Sequence, residues 1–271
     1  MQTTRETVTS GTAHIAVEWA GDGQPILFLH ANVADRRMWS HQLNALAASY
    51  RVIAFDRRGF GETGMVDETY SQTDDLFAVL NKLAGSNKPA ILVGCSRGGS
   101  IAIDAALASP DRIAALVLVA PGVGGAPAAT PGTAVQRLLD ATELARQSGD
   151  LNKVNLLQAA LWLDGPQSDE GRVSGKARDL FLAMNAIALA TPSLGRAVEP
   201  EPAWERLDQI TVPVRILCGD LDIPHIQTRC AQLAATLPKG QLDILSSAAH
   251  LPSLEQPEHF TARLLKILAD C

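Results

Sequence analysis

Cysteine is scarce in this chain. Cys95, Cys218, Cys230 and Cys271 are spread over 271 residues, and no C-x-x-C pair occurs. Such spacing argues against a disulfide framework and against a zinc ribbon, and it fits free thiols in a reducing compartment. Charge is sparse as well. Asp, Glu, Lys and Arg make up 19% of the residues, and the formal net charge of −6 comes without a basic run. Nucleic acid and anionic lipid are therefore not expected as partners. No apolar stretch reaches membrane-spanning length, and residues 1–25 are too polar for a secretory signal. There is no H-E-x-x-H and no cluster of His with carboxylates to suggest a metal. The expectation is a soluble, cytoplasmic protein with no metal or cofactor, its oligomeric state left open.

What is present is apolar bulk. Hydrophobic residues make up 46% of the chain, enough for one large α/β domain or one domain carrying an insertion. Residues 12–19 place Ile15, Val17 and Trp19 on one face, a half-buried strand, and "AGDGQP" then turns the chain. Short apolar runs at 26–30, 52–56, 90–94 and 115–120 read as strands covered on both faces. Helical periodicities at 38–48, 71–83 and 97–109 lie between them, which predicts a mostly parallel sheet flanked by helices.

The rhythm breaks after Pro121. From 133 to 189 no strand-like run occurs, and three helical patterns succeed one another. Val135, Leu138, Leu139 and Thr142 mark the first, Leu156, Leu157, Ala160 and Leu161 the second, Leu180, Met184 and Ile187 the third. A loop, "TPSLGRAVEPEPAW", precedes the return of the α/β rhythm at 214–218, 227–236, 241–245 and 257–269. The expected organisation is a core of residues 1–121 and 204–271, with an all-helical cap at 122–203 inserted over one edge.

The stretch 91–107, "ILVGCSRGGSIAIDAAL", runs an apolar strand straight into Gly94-Cys95-Ser96-Arg97-Gly98 and then into an alanine-rich helix. A serine at the tip of a sharp strand-to-helix turn needs strained backbone angles, and glycine neighbours let strand and helix approach. Its oxygen then stands above the sheet, where the first helical N–H groups face whatever oxygen arrives. The ordinary alternative is an N-cap serine.

With this G-x-S-x-G elbow in that context, the chain resembles the α/β-hydrolase family of serine hydrolases, nearly end to end. The resemblance implies an α/β-hydrolase fold and the order nucleophile, acid, histidine. Ser96 needs a base, and neutral imidazole suits that task near pH 7. Of six histidines, only His250 lies in the loop after a final strand, in "LDILSSAAHLPSLEQPEHF". The acid follows the penultimate strand in "VRILCGDLDIPH", where spacing alone does not separate Asp222 from Asp220. Similarity to the family's G-x-x-D turn selects Asp222. Two backbone N–H donors are implied for the oxyanion, one from Arg97 and one from Asn32 in "FLHANVADRRMW". Ala31 stands where the family usually has Gly. His30 is expected to buttress this loop by hydrogen bonding.

"FDRRGFGETG" contains a literal G-x-G-x-x-G, but Met65 to Tyr70 intervene before any helix, so a dinucleotide site is not expected. The segment resembles the D-x-R-G-x-G-x-S/T loop of α/β-hydrolases. The implied activity is hydrolysis of an ester or lactone of a small, partly apolar molecule, with Trp162 and Met184 of the cap walling an apolar pocket. The segments "LHANVADRRMW" and "WLDGP" are similar to those of carboxylesterases and 3-oxoadipate enol-lactonases. The same three residues also serve carbon–carbon bond hydrolases and cofactor-free perhydrolases, and a non-catalytic receptor on the same scaffold is a further alternative.

Overall fold

The computed structural model describes residues 2–86 and 88–270. Cys271 lies outside the described residues. β1 (Thr4–Ser10), β2 (Ala13–Ala20), β3 (Gln24–Leu29), α1 (Ser40–Leu46) and β4 (Tyr50–Phe55) open the chain. β5 (Thr69–Tyr70), α2 (Gln72–Ala84), β6 (Ala90–Cys95), α3 (Arg97–Ala108) and β7 (Ile113–Val119) follow. Three helices then come without an intervening strand: α4 (Thr133–Gln147), α5 (Leu151–Ala159) and α6 (Lys176–Ala190). After β8 (Arg196–Ala197) the chain closes with β9 (Val214–Gly219), α7 (Pro224–Thr236), β10 (Gly240–Leu245), α8 (Pro252–Glu255) and α9 (Pro257–Ala269).

Eight strands form one sheet in the order β1-β2-β4-β3-β6-β7-β9-β10. β1 and β4 pair antiparallel with β2, and all other pairings are parallel. The central strands β3 and β6 are buried along nearly their whole length, as short β-rich apolar runs require when both faces are covered. One core cluster packs Leu76 and Val79 of α2, Ile101 of α3 and Leu233 of α7 on one face. The other packs Leu43 of α1 with Phe260 and Leu264 of α9 on the opposite face. Phe260, Leu264 and Ile267 recur at helical spacing along α9, and burying each such side chain contributes about 1.5–3 kcal/mol before ordering costs. Among the described residues no helix is long and apolar enough to cross a membrane.

Three features depart from the sequence pattern. β1 has only Val8 as an apolar residue in "TRETVTS", so its place in the sheet comes from backbone pairing with β2 at an edge. Within the stretch expected to be a plain loop, β8 pairs in parallel with β5, tying residues beside the 133–190 helices to the segment before α2. α5 runs on into a π-helical turn, Ala160–Asp164, which carries Trp162. Turns of this type are rare and tend to sit at functional sites.

Sheet order also fixes where loops converge. From β3 the chain crosses to β4 on one side, and β6 lies on the other. A crevice therefore opens outside the carboxyl ends of these strands, where ligands bind in open α/β sheets.

Candidate active site

Ser96 sits between β6 and α3 with φ 54° and ψ −116°. A non-glycine residue in that region costs on the order of 1–3 kcal/mol and persists only where the surroundings enforce it. They do so here. Its N–H donates to Val119 O (2.9 Å), and its carbonyl accepts from Ser100 N (3.1 Å) and Gly122 N (3.0 Å). Glycine is required on both sides, because a Cβ on Gly94 would strike the Gly98 carbonyl and one on Gly98 would strike that of Leu29. The backbone N–H of Arg97 precedes the helix's first internal bond, from Ser100 to Ser96.

Asp222 and His250 follow β9 and β10 and meet above the sheet. His250 Nδ1 lies 2.9 Å from Asp222 Oδ2 and 3.2 Å from Oδ1, with both side chains buried. Asp222 Oδ1 also accepts from Ile223 N at 2.7 Å. Asp220 is exposed, and among the described residues no hydrogen bond joins its carboxylate to His250. The second imidazole nitrogen, Nε2, is buried and has no hydrogen-bond partner among the described residues. Ser96 and His250 line one cavity, yet no hydrogen bond joins Ser96 Oγ to Nε2 among the described residues.

Glu255 is a residue that sequence reasoning does not single out. Its carboxylate accepts from Ala249 N (2.8 Å) and Leu251 N (3.0 Å), the two amides that flank His250. Arg172, from the segment between α5 and α6, pairs with the same carboxylate and also donates to the carbonyls of Leu163, Asp164 and Ser247. Burial pushes the Glu255 carboxyl up from its ordinary range, while Arg172 and the two amides pull the other way. The only signal in the sequence was a Glu five residues after His250, which α8 folds back beneath the histidine loop. Cys95 lies under this loop, its thiol 3.6 Å from His250 O. Burial raises that thiol well above its usual value, so it remains a thiol.

On the other side of the crevice, Asn32 is exposed at the tip of a turn closed by Ala34 N to Ala31 O (3.2 Å). His30 behind it is fully buried. Its Nδ1 contacts Ala31 O at 2.8 Å and its Nε2 accepts from Arg57 N at 3.0 Å, which assigns the proton to Nδ1. Burial, then the charge of Arg57, holds His30 well below the usual imidazole value, so it is neutral near pH 7.

The shared cavity, of about 420 Å³, also takes Asn32, Trp162, Asn185 and Leu189 into its wall. Trp162 packs its ring 4.7 Å from that of His250, at 47°. Met184 differs from the expectation. It is 1% exposed, its sulfur accepts from Asp35 N (3.5 Å), and it is not among the residues lining the cavity. Helical periodicity marked it as inward, but α6 buries one face against the 3₁₀ turn Arg36–Trp39 and turns Asn185, Ala188 and Leu189 to the cavity.

The family model described as "Alpha/beta hydrolase family" matches residues 26–264. The AB hydrolase superfamily protein YisY of Bacillus subtilis is 32% identical over 252 residues, covering 89% of this chain and 90% of its own. A thermophilic esterase from Thermogutta terrifontis superposes with a TM-score of 0.77 at 26% identity, over 100% of this chain and 99% of its own. Est816, described as an N-acyl homoserine lactone degrading enzyme, superposes with a TM-score of 0.72 at 25% identity, over 96% and 99%.

Proposed function

Because the chain belongs to the alpha/beta hydrolase family, we propose that it is a serine hydrolase that cleaves an ester or lactone of a small, partly apolar molecule. The observation that carries this reading is a strained Ser96 sharing a cavity with a buried, unpartnered His250 Nε2 whose other nitrogen rests on Asp222. Relatives described as an esterase and as a lactone-degrading enzyme support it.

Asp222 holds His250 with its proton on Nδ1, leaving Nε2 to accept the proton of Ser96 Oγ as that oxygen attacks the carbonyl. The imidazolium that forms is stabilised by Asp222. The backbone N–H groups of Arg97 and Asn32 receive the tetrahedral oxyanion, and each such donor is typically worth about 10²–10³ in kcat. His250 then protonates the leaving alkoxide, releasing the alcohol or opening the lactone. Water adds to the acyl-enzyme with His250 as base, and collapse returns Ser96 with the free acid. In a lactone the opened product carries both groups. Trp162, against His250, helps exclude water and gives the apolar part of the substrate a wall. Residues 122–203 act as a cap over the site, held down by Arg172 on Glu255 and by β8 on β5.

The test is rapid-mixing kinetics with p-nitrophenyl butyrate, beside steady-state assays on simple lactones. A burst of nitrophenolate equal to the enzyme concentration, absent in Ser96→Ala, is expected. Absence of turnover of every ester and lactone by folded protein would overturn the reading.

A further inference from the structure

A second cavity, of about 320 Å³, adjoins the first and shares Asn32 and Phe60 with it. Its floor holds Arg57, which is 6% exposed. The chain's other well-buried arginines are matched to carboxylates. Arg36 is paired with Asp56 and Glu62, and Arg58 grips Asp75 through two bonds of 2.8 Å and also meets Glu68. Arg97, on the rim of the second cavity, is paired with Glu199.

Arg57 has no such partner among the described residues. Its guanidinium meets the neutral oxygens of Asn32 (2.9 Å) and Gln72 (3.5 Å) and lies 4.4 Å over the ring of Phe60. His30 Nδ1 is 3.5 Å away but carries its own proton toward Ala31 O, so it offers no lone pair. Arg57 Nε, like Arg36 Nε and Arg112 Nε, is buried with no hydrogen-bond partner among the described residues. The wall sets three guanidiniums, of Arg57, Arg58 and Arg97, beside Asp75 and Glu199; Arg58 takes Asp75 together with Glu68 and Arg97 takes Glu199, which leaves Arg57 as the one of the three without a carboxylate. Burial and the neighbouring charge of Arg97 push the Arg57 guanidinium down to about 9, which leaves it charged at neutral pH.

A desolvated cation without a counter-ion is costly, and a buried donor left over needs a cause. A guanidinium presents a planar fork that fits a carboxylate with two parallel bonds. The same Asn32 that accepts from Arg57 supplies the proposed oxyanion N–H, so an anion here would sit a short carbon chain away from a carbonyl on Ser96. We propose that the Arg57 cavity is a carboxylate subsite, and that the substrate is an ester or lactone bearing a free carboxylate a few carbons from the scissile carbonyl. This rests on the serine-hydrolase reading above.

The experiment compares p-nitrophenyl butyrate with the mono-p-nitrophenyl esters of succinate and glutarate, in wild type and in Arg57→Gln. The ratio of kcat/KM for a hemiester over the neutral ester is expected to fall by about 10–100-fold in the variant, chiefly through KM. An unchanged ratio would overturn the proposal. Binding without turnover is read by titrating Ser96→Ala with glutarate, with dimethyl glutarate as the neutral control and inorganic phosphate as a second anion. Saturable heat with glutarate, lost when Arg57→Gln is added, supports the subsite. If Arg57→Gln does not fold, glutarate binding against none with the diester supports it. Equal binding of both, no binding of either, or binding of phosphate alone overturns it. Glutarate binding by a protein that turns over no ester would overturn the hydrolase reading while the subsite stands.

Discussion

Replacing Glu255 with glutamine keeps the shape of the side chain and removes its charge. The wild-type carboxylate accepts two buried amides, from Ala249 and Leu251, with one oxygen each. Glutamine has a single acceptor oxygen, so one of those amides must face an NH₂ group. Leaving a buried donor unsatisfied costs about 1–3 kcal/mol. Arg172 loses its carboxylate too, but its side chain is 23% exposed and keeps three carbonyl partners, so this adds about 1 kcal/mol at most. The sum, about 1–4 kcal/mol, corresponds to a fall in Tm of roughly 2–15 °C for a domain of this size. Because the affected amides bracket His250, the imidazole also loses its fixed place in the cavity it shares with Ser96. Misplacement on the order of 1 Å costs about 10²-fold. Folded Glu255→Gln, assayed well below its Tm, is therefore expected to show kcat reduced about 10–100-fold with KM changed less than threefold. A variant that melts earlier but keeps wild-type kcat would refute a positioning role for Glu255.

His30 predicts a pH dependence of stability. Its folded value is depressed, so below about pH 6.5 the unfolded chain takes up a proton that the folded chain refuses. Stability from this group is full above that pH and is lost as the pH falls, by up to about 1.4 kcal/mol per pH unit, until the folded value is reached. Urea titrations of wild type and His30→Gln should converge as the pH drops from 7.5 to 5, and parallel curves would contradict the assignment. Gly98→Ala places a Cβ against the carbonyls of Leu29 and His30, which are held at the end of a central strand. A loss of about 1–3 kcal/mol in urea unfolding is expected, and wild-type stability would show the elbow to be less tightly packed than described.

The fold was legible because the central strands are apolar runs and the helices carry clean stripes. Ile26–Leu29, Ala90–Gly94 and the Phe260, Leu264, Ile267 stripe announce themselves in the sequence. β1, β5 and β8 did not, since their places rest on backbone pairing that leaves little mark on side-chain choice. At the site, the elbow glycines and the lone histidine after the last strand are local signals, and the structure gathers Ser96 and His250 into one cavity and joins His250 to Asp222. Glu255 and the unpaired Arg57 were out of reach. Each matters through a contact between segments distant in sequence, Arg172 with Glu255 and Arg57 with Asn32, which no spacing rule encodes. Met184 shows the converse, since burial is readable from periodicity but the partner across the helix is not.

Fluorophosphonate labelling followed by peptide mapping tests the central claim most directly. A single adduct on Ser96 is expected, forming rapidly in wild type and at least about 10²-fold more slowly in His250→Gln. A folded protein that takes no adduct at Ser96, or takes it as fast without the imidazole, would contradict the account.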